Sequence, residues 1–238
     1  MDLFDDLHAH GLQWRGACPA RATDALPALP DQQPAVLLGL VGIVGSTFWP
    51  HFRDSVFFHD GLANPLDRWS RSIAEPLAQR YGARALFPFD GPPYHPFQQW
   101  ADRAEATQGS PLMLRIHPRY GLWHAYRFAL ALPAAALDRL GRLSPACASA
   151  EVDAASPSIC ASCASQACLQ ACPVSAFDGE NYAHARCAAH LQTAAGQPCM
   201  QGGCLARRAC PVGQEFRYQE AHAAFHMQAF VRAHGCAH

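Results

Sequence analysis

Eight cysteines crowd the last third of this chain, and that many thiols need a chemical reason. The first group is CASCASQACLQACP (160–173), in which Cys160, Cys163, Cys168 and Cys172 are followed by Pro173. The second is Cys187 and then CMQGGCLARRACP (199–211), in which Cys199, Cys204 and Cys210 are followed by Pro211. Of eleven cysteines in all, only Cys18 and Cys147 precede residue 160. The eight make two sets of four, and each set closes in Cys-Pro.

Cubane iron–sulfur clusters take four thiolates each, and in bacterial two-cluster ferredoxins the cysteine before proline serves the other cluster. Three cysteines on one loop wrap one corner of a cube, while the fourth, on the short helix that follows, faces across the module. The expectation is one [4Fe-4S] cluster on Cys160, Cys163, Cys168 and Cys210, and a second on Cys172, Cys187, Cys199 and Cys204. The spacing departs from the short ferredoxin loop. Four residues separate Cys163 from Cys168, and eleven, four and five separate the ligands of the second group. A single cluster therefore stays open as an alternative. So do zinc sites, since zinc also takes four thiolates from Cys-x-x-Cys knuckles. Only Cys160–Cys163 has that knuckle form, and zinc leaves the paired Cys-Pro endings unexplained. Cys18, Cys147 and Cys236 fall outside the scheme and read as small buried or surface residues.

Compartment bears on the same question. The start, MDLFDDLHAHGLQW, lacks the basic region and apolar run of an export signal. The longest apolar run, AVLLGLVGIVG (35–45), is too short to span a bilayer. A cytoplasmic protein is expected, where structural disulfides are rare and clustered thiols point to metal or redox chemistry. A formal net charge of -1 gives no pull toward nucleic acid or anionic membrane. All 18 basic residues are Arg, which fits carboxylate and phosphate geometry but equally fits a compositional bias.

The jump in cysteine content marks a boundary near LSPACASAEVDAASPS (143–158), dividing a first domain, 1–150, from a cysteine module, 151–238, that ends in a helix. The first domain reads as α+β. AVLLGLVGIVG is a continuous apolar strand of the kind buried on both faces. NPLDRWSRSIAEPLAQRYG (64–82) places Leu66, Trp69, Ile73, Leu77 and Tyr81 on one helical face, and Gly82 stands where a helix C-cap glycine would. ARALFPF (83–89) reads as a short strand, and HPFQQWADRAEA as a helix with Pro96 in its first turn. PLMLRIH (111–117) and WHAYRFALAL (123–132) read as two strands joined in a hairpin-like pair. In EAHAAFHMQAFVRAHGCAH, His222 and His226 have a metal-chelating spacing, but with no third ligand in register they read as part of a helix packed on the module.

Two stretches carry a resemblance. RIHPRYGLWHAYRFALAL (115–132) resembles the strand pair of the CblC family of cobalamin-processing proteins, and NPLDRWS (64–70) is similar to that family's helix start. PFDGPPYHPFQQWADRA (88–104), followed by eight cysteines, is similar to epoxyqueuosine reductase. There a CblC-like domain binds cobalamin and a two-cluster module feeds it electrons. The resemblance implies a nitroreductase-like sheet-and-helix domain with a base-off corrinoid, followed by a small ferredoxin-like module. It implies that Asp90 is a proton donor and that His117, Arg119, Tyr120, Gly121 and Trp123 help line the corrin site. Tyr94, with Trp123, Tyr126 and Phe97, is expected to floor that site. Arg119 and Arg127 are expected to hold corrin amides or a phosphate. An apolar setting in FPFDGPPY would raise the pKa of Asp90; as an alternative, the Asp-Gly pair is a simple turn. The chain ends 28 residues after Cys210, where epoxyqueuosine reductase continues into a tRNA-holding repeat segment, so a small molecule or the corrinoid itself is the expected substrate.

The pairing makes physical sense. Removing the lower axial nitrogen eases reduction of cobalt, and clusters near roughly -400 mV are suitable donors. The expected function is a cobalamin-binding iron–sulfur reductase, supplied by an electron donor such as a ferredoxin or flavodoxin reductase. A non-catalytic electron-transfer or cobalamin-carrier protein and a flavin-dependent reductase are the alternatives.

Overall fold

The computed structural model describes residues 2–140 and 158–235. Up to residue 104 the chain runs α1 (Leu3–His8), β1 (Gln13–Pro19), β2 (Leu37–Val44), α2 (Trp49–Arg53), α3 (Val56–His59), α4 (Pro65–Arg80), β3 (Arg84–Leu86) and α5 (Phe97–Ala104). Next come β4 (Gln108–Gly109), β5 (Arg115–Ile116), β6 (His124–Leu132) and α6 (Ala134–Leu140). The cysteine-rich part carries α7 (Ala167–Gln170), α8 (His184–Leu191), α9 (Gln197–Gly202), α10 (Leu205–Arg208) and α11 (Glu220–His234). Among the described residues no helix is long and apolar enough to cross a membrane.

These elements form two compact units. Residues 2–106 and 125–140 make the first; 107–124 and 158–235 make the second. The division expected at 150 therefore misassigns one segment, since 107–124 belongs with the cysteines. The expected boundary loop itself lies largely outside the described residues.

Unit 1 is a mixed α+β fold built on a four-stranded sheet of order β1-β2-β6-β3. β1 pairs antiparallel with β2, and β3 with β6. All eight residues of β2 are buried, which is why its sequence is apolar without alternation. α4 buries Leu66, Trp69, Ile73 and Leu77, as the periodicity expects, and Gly82 follows its cap with φ +61°. α5 buries Phe97 and Trp100 and packs on β1 and β2, with Pro96 at its N-cap position. In β1 the register slips between Trp14 and Gly16, so Arg15 is the extra residue of a bulge. The bulge turns Arg15 inward: its side chain is 1 % exposed and its Nε lies 3.0 Å from Glu105. The Tyr126 hydroxyl also donates to Glu105, at 2.6 Å.

The expected pairing of 111–117 with 123–132 does not form. β6 lies between β2 and β3, because its all-buried stretch Phe128–Leu132 needs a partner on each side. Only Arg115–Ile116 of the first stretch is a strand, and it pairs with β4. Pro111 has no amide to donate. A turn then intervenes, with Met113 at φ +58° and Ser110 N–H donating to Leu114 O. The intervening IHPRYG is a tight turn closed by reciprocal His117–Gly121 backbone bonds of 2.9 and 2.8 Å.

Unit 2 is held by short helices around a small core. Leu112, Ile116 and Leu122 from the inserted segment are buried with Ala206 and Cys210, and Cys160, Cys168, Cys172 and Cys204 pack against them. α7 packs on α10, while α11 covers α8 and α9.

Candidate metal centre

The eight cysteines reach their places by local rules. Cys160 and Cys163 are joined by a turn in which Cys163 N–H donates to Cys160 O. Gln166, at φ +40°, starts α7, which carries Cys168; Cys172 comes two residues after that helix. α8 carries Cys187 and α9 carries Cys199. Cys204 caps α10, and Cys210 comes two residues after it. Each Cys-Pro thus follows a four-residue helix, and these two helices pack together.

The thiols perturb one another in two groups. Burial pushes the Cys160 thiol up, and after burial its perturbers are Cys210, Cys168 and Cys163. Cys168 is raised by burial first and then by Cys210 and Cys163. Burial raises Cys187 as well, with Cys172 and Cys199 adding to it. Burial pushes Cys204 to about 11, assisted by Cys187 and Cys199. In none of these environments does a thiol of one set perturb a thiol of the other. Cys210 keeps company with Cys160, Cys163 and Cys168, and Cys172 with the second group, so the two Cys-Pro residues are exchanged.

Raised thiols hold their protons at neutral pH, so a thiolate-binding metal must displace them, and its affinity falls with acid. None of the eight is in a disulfide. Cys160, Cys163, Cys168 and Cys210 line a pocket with Pro111, Ile116 and other apolar neighbours. Its cavity volume is about 30 Å³, close to one water's share of the liquid. Among the described residues no three His, Cys, Asp or Glu side chains converge on a point that a single ion could occupy. A tetrahedral zinc needs sulfurs about 3.8 Å apart, from its ~2.3 Å bonds. A cubane cluster with one thiolate per iron needs its four sulfurs farther apart than that, around the cube. Four soft thiolate donors in an apolar setting are the donor set that such a cluster takes.

The residues assigned to the corrin site scatter. His117, Arg119, Tyr120, Gly121 and Trp123 all belong to unit 2. His117 Nδ1 accepts from the backbone N–H groups of Arg119 and Tyr120, and its ring stacks on Tyr120. Arg119 lies over Tyr120 and Phe216. Gly121, at φ +56°, meets Gly213, at φ +68°, on the loop after Pro211: a Cβ on Gly121 would lie 2.0 Å from Val212 O, and one on Gly213 would lie 2.4 Å from the Tyr120 carbonyl carbon. The IHPRYG turn therefore buttresses the second Cys-Pro. Trp123 is buried and stacked by Arg207, whose guanidinium also covers Tyr218.

The rest lie in unit 1. Phe97 is core, and Tyr126 is tied to Glu105. Tyr94 is 65 % exposed. Arg127 is ion-paired with Asp67 and accepts no role in a shared pocket. Asp90 follows a turn bond to Phe87 O, is 44 % exposed and is ion-paired with Arg71. The desolvated setting expected for it is absent, because Arg71 lies between it and the rings of Phe87 and Phe89.

Two features escaped the sequence. Unit 1 has a groove of about 750 Å³ whose walls include Trp69, Ile73 and Pro76 of α4 with His10 and His51. Pro76 has no amide, so the Ser72 carbonyl beside it loses its helical donor. In unit 2 the Tyr182 ring stacks on Phe177 at 4.4 Å, and burial first, then the Cys187 thiol, pushes its phenol up. No local spacing signals either, since each joins residues from separate elements. His222 is fully buried, stacked on Tyr218 and 2.9 Å from His226, and belongs to the packing of α11 as expected. Burial first, then His226 and Arg207, depress it to about 2.

A scan against protein-family models finds no match for this chain, and a search of curated proteins finds none either.

Proposed function

We propose that this chain is an iron–sulfur electron-transfer reductase whose second unit is a ferredoxin-like module. Cys160, Cys163, Cys168 and Cys210 would hold one [4Fe-4S] cluster, and Cys172, Cys187, Cys199 and Cys204 the other. The observation that supports this reading is the grouping of eight half-buried or buried thiols into two sets with their Cys-Pro members exchanged. When bound, such clusters supply one-electron steps at low potential. The chain's own part is to present thiolates, exclude water with Ile116, Leu122 and Ala206, and hold the second Cys-Pro loop against the IHPRYG turn.

The acceptor in this reading is a corrinoid on a nitroreductase-like first unit, and its support is the resemblance described above. Residues aligned with the family's corrin-lining turn are occupied within unit 2, so no step is assigned to them. The groove beneath His10 and His51 is the space in unit 1 that suits a large ligand, since drug-sized ligands fill roughly 300–1,000 Å³. The exposed, ion-paired state of Asp90 favours a second reading in which the chain carries electrons and has no proton donor of its own.

Anaerobic protein decides between these. The reading expects about eight irons and eight acid-labile sulfides per chain. Hydroxocobalamin added under reduction should then give a base-off Co(II) signal in electron paramagnetic resonance. Zinc without labile sulfide overturns the reading at its base. Complete clusters with no corrinoid bound at micromolar concentration leave the electron carrier, and a copurifying yellow flavin makes the acceptor a flavin instead.

A further inference from the structure

The arginines of the two units are used differently. In unit 1, Arg53, Arg68, Arg71, Arg80, Arg103 and Arg127 are each ion-paired with a carboxylate, as is buried Arg15. Unit 2 holds seven arginines and four carboxylates among its described residues. There Arg119, Arg186, Arg207, Arg208, Arg217 and Arg232 make no ion pair with a described carboxylate. Arg207 is engaged by the rings of Trp123 and Tyr218 and by Leu122 O, and Arg186 by the carbonyls of Val174 and Ser175.

Three of the others gather at one place. Arg217 Nη2 donates to Arg208 O at 2.5 Å, and Phe216, its chain neighbour, has its ring 6.0 Å from the Arg119 guanidinium. Arg119 and Arg217 are exposed and Arg208 is half-buried. Together they frame the loop Cys210–Pro211–Val212–Gly213, against which Gly121 of the Arg119 turn is pressed. Pro211 is exposed, while Cys210, one residue away, is buried in the core of the unit beside Cys160 and Cys168. One acid, Glu215, falls between Arg208 and Arg217, and it pairs with none of the three. A patch of one sign steers a partner of the other and raises its association rate by about 10–10³-fold, an effect that salt removes. With a formal net charge of -1 the whole chain has no general field, so the attraction is confined to this face.

We propose that Arg119, Arg208 and Arg217 form the docking face for an acidic one-electron carrier protein, which passes its electron through the exposed Cys-Pro loop to the cluster held by Cys210. In that step one electron leaves the carrier's reduced centre and enters the cubane; no bond forms or breaks and no proton moves. This rests on the two-cluster reading above.

The test is stopped-flow electron transfer between the anaerobic holoprotein and an acidic plant-type [2Fe-2S] ferredoxin, in whichever direction runs downhill. It is run at about 0.01 M and 1 M ionic strength, where charges are screened beyond about 30 Å and 3 Å. The second-order rate should fall steeply with salt. Gln at all three positions should lower the low-salt rate at least ~10-fold and flatten its salt dependence, whereas Lys at all three should keep both. Arg232→Gln removes the same charge about 18 Å along α11 from Glu220 and should change the rate far less. Iron, labile sulfide and reduction by methyl viologen, a small cation that needs no docking, should match wild type. Where the triple Gln variant loses iron, Arg119→Glu alone, on the exposed turn, carries the test. A rate indifferent to salt and to the three arginines overturns the docking face. So does loss of binding to an RNA hairpin with ferredoxin transfer unmoved, which makes the face a nucleic-acid surface. Shifted cluster redox waves with the salt dependence intact also overturn it, because the arginines then offset cluster charge. A wild type that assembles no cluster overturns the reading beneath it instead.

Discussion

Unit 1 and unit 2 hold themselves together by different means. In unit 1 a four-stranded sheet buries long apolar side chains, and the buried charge pair of Arg15 with Glu105 is satisfied from several directions. In unit 2 the helices are mostly short, and thiols occupy positions where a core would place Leu or Val. Below a certain core size a domain relies on disulfides, metals or oligomerisation. Unit 1 can be ordered by burial alone; unit 2 is expected to depend on what its thiols bind.

The largest break in that comparison comes from the exchanged cysteines. Cys210→Ser should halve the iron from about eight to about four per chain, and the lost cluster should be that of Cys160, Cys163 and Cys168. Adding Cys160→Ser should then cost no further iron, whereas adding Cys172→Ser should remove the rest. If Cys160→Ser and Cys210→Ser each remove a different cluster, the exchange is wrong.

Next in size is the buried pair of unit 1. Glu105 is raised by burial and held down by Arg15, so Arg15→Met leaves a buried carboxyl without its cation. A loss of about 3–5 kcal/mol is expected in chemical denaturation. The replacement of both residues, Arg15→Met with Glu105→Leu, should recover much of it. Iron content should not change, which separates the two units in one experiment.

Acid tests α11. Unfolded, His222 takes up a proton near pH 6.5; folded, it does so only near pH 2. The unfolded state binds more protons across that window. Stability is therefore complete above about pH 6.5 and falls as pH drops, by about 1.4 kcal/mol per unit. His222→Leu should flatten that slope between pH 6.5 and 5 in melts of the holoprotein; an unchanged slope would assign it to other groups.

The smallest effect is expected at Asp90. Its pair with Arg71 is partly exposed, so Asp90→Asn should cost under about 1 kcal/mol and leave both cluster waves in place. A large fall in corrinoid reduction with intact binding would restore Asp90 as a proton donor.

The buried strand β2, the amphipathic α4 and α5 were legible because each is decided by a run of neighbours whose period or apolarity stands out. The eight thiols were legible as candidate ligands because their clustering is a property of the sequence itself. The ribbon at 107–124 was not. RIHPRYGLWHAYRF has the alternation of a hairpin, but β6 gains more by filling the slot between β2 and β3 than by folding back on a segment interrupted by Pro111. Arg15 gave no sign of burial, because only the bulge against β2 turns it inward.

Read by itself, the chain determined the residues available for metal and the elements that carry them, since thiol chemistry and helical or strand periodicity are properties of short stretches. Tertiary structure alone decided which unit the IHPRYG turn serves, which acid is ion-paired, and that Arg207 covers the rings of Trp123 and Tyr218. Those are choices among distant partners, governed by which surfaces can be buried together, and no local pattern records them.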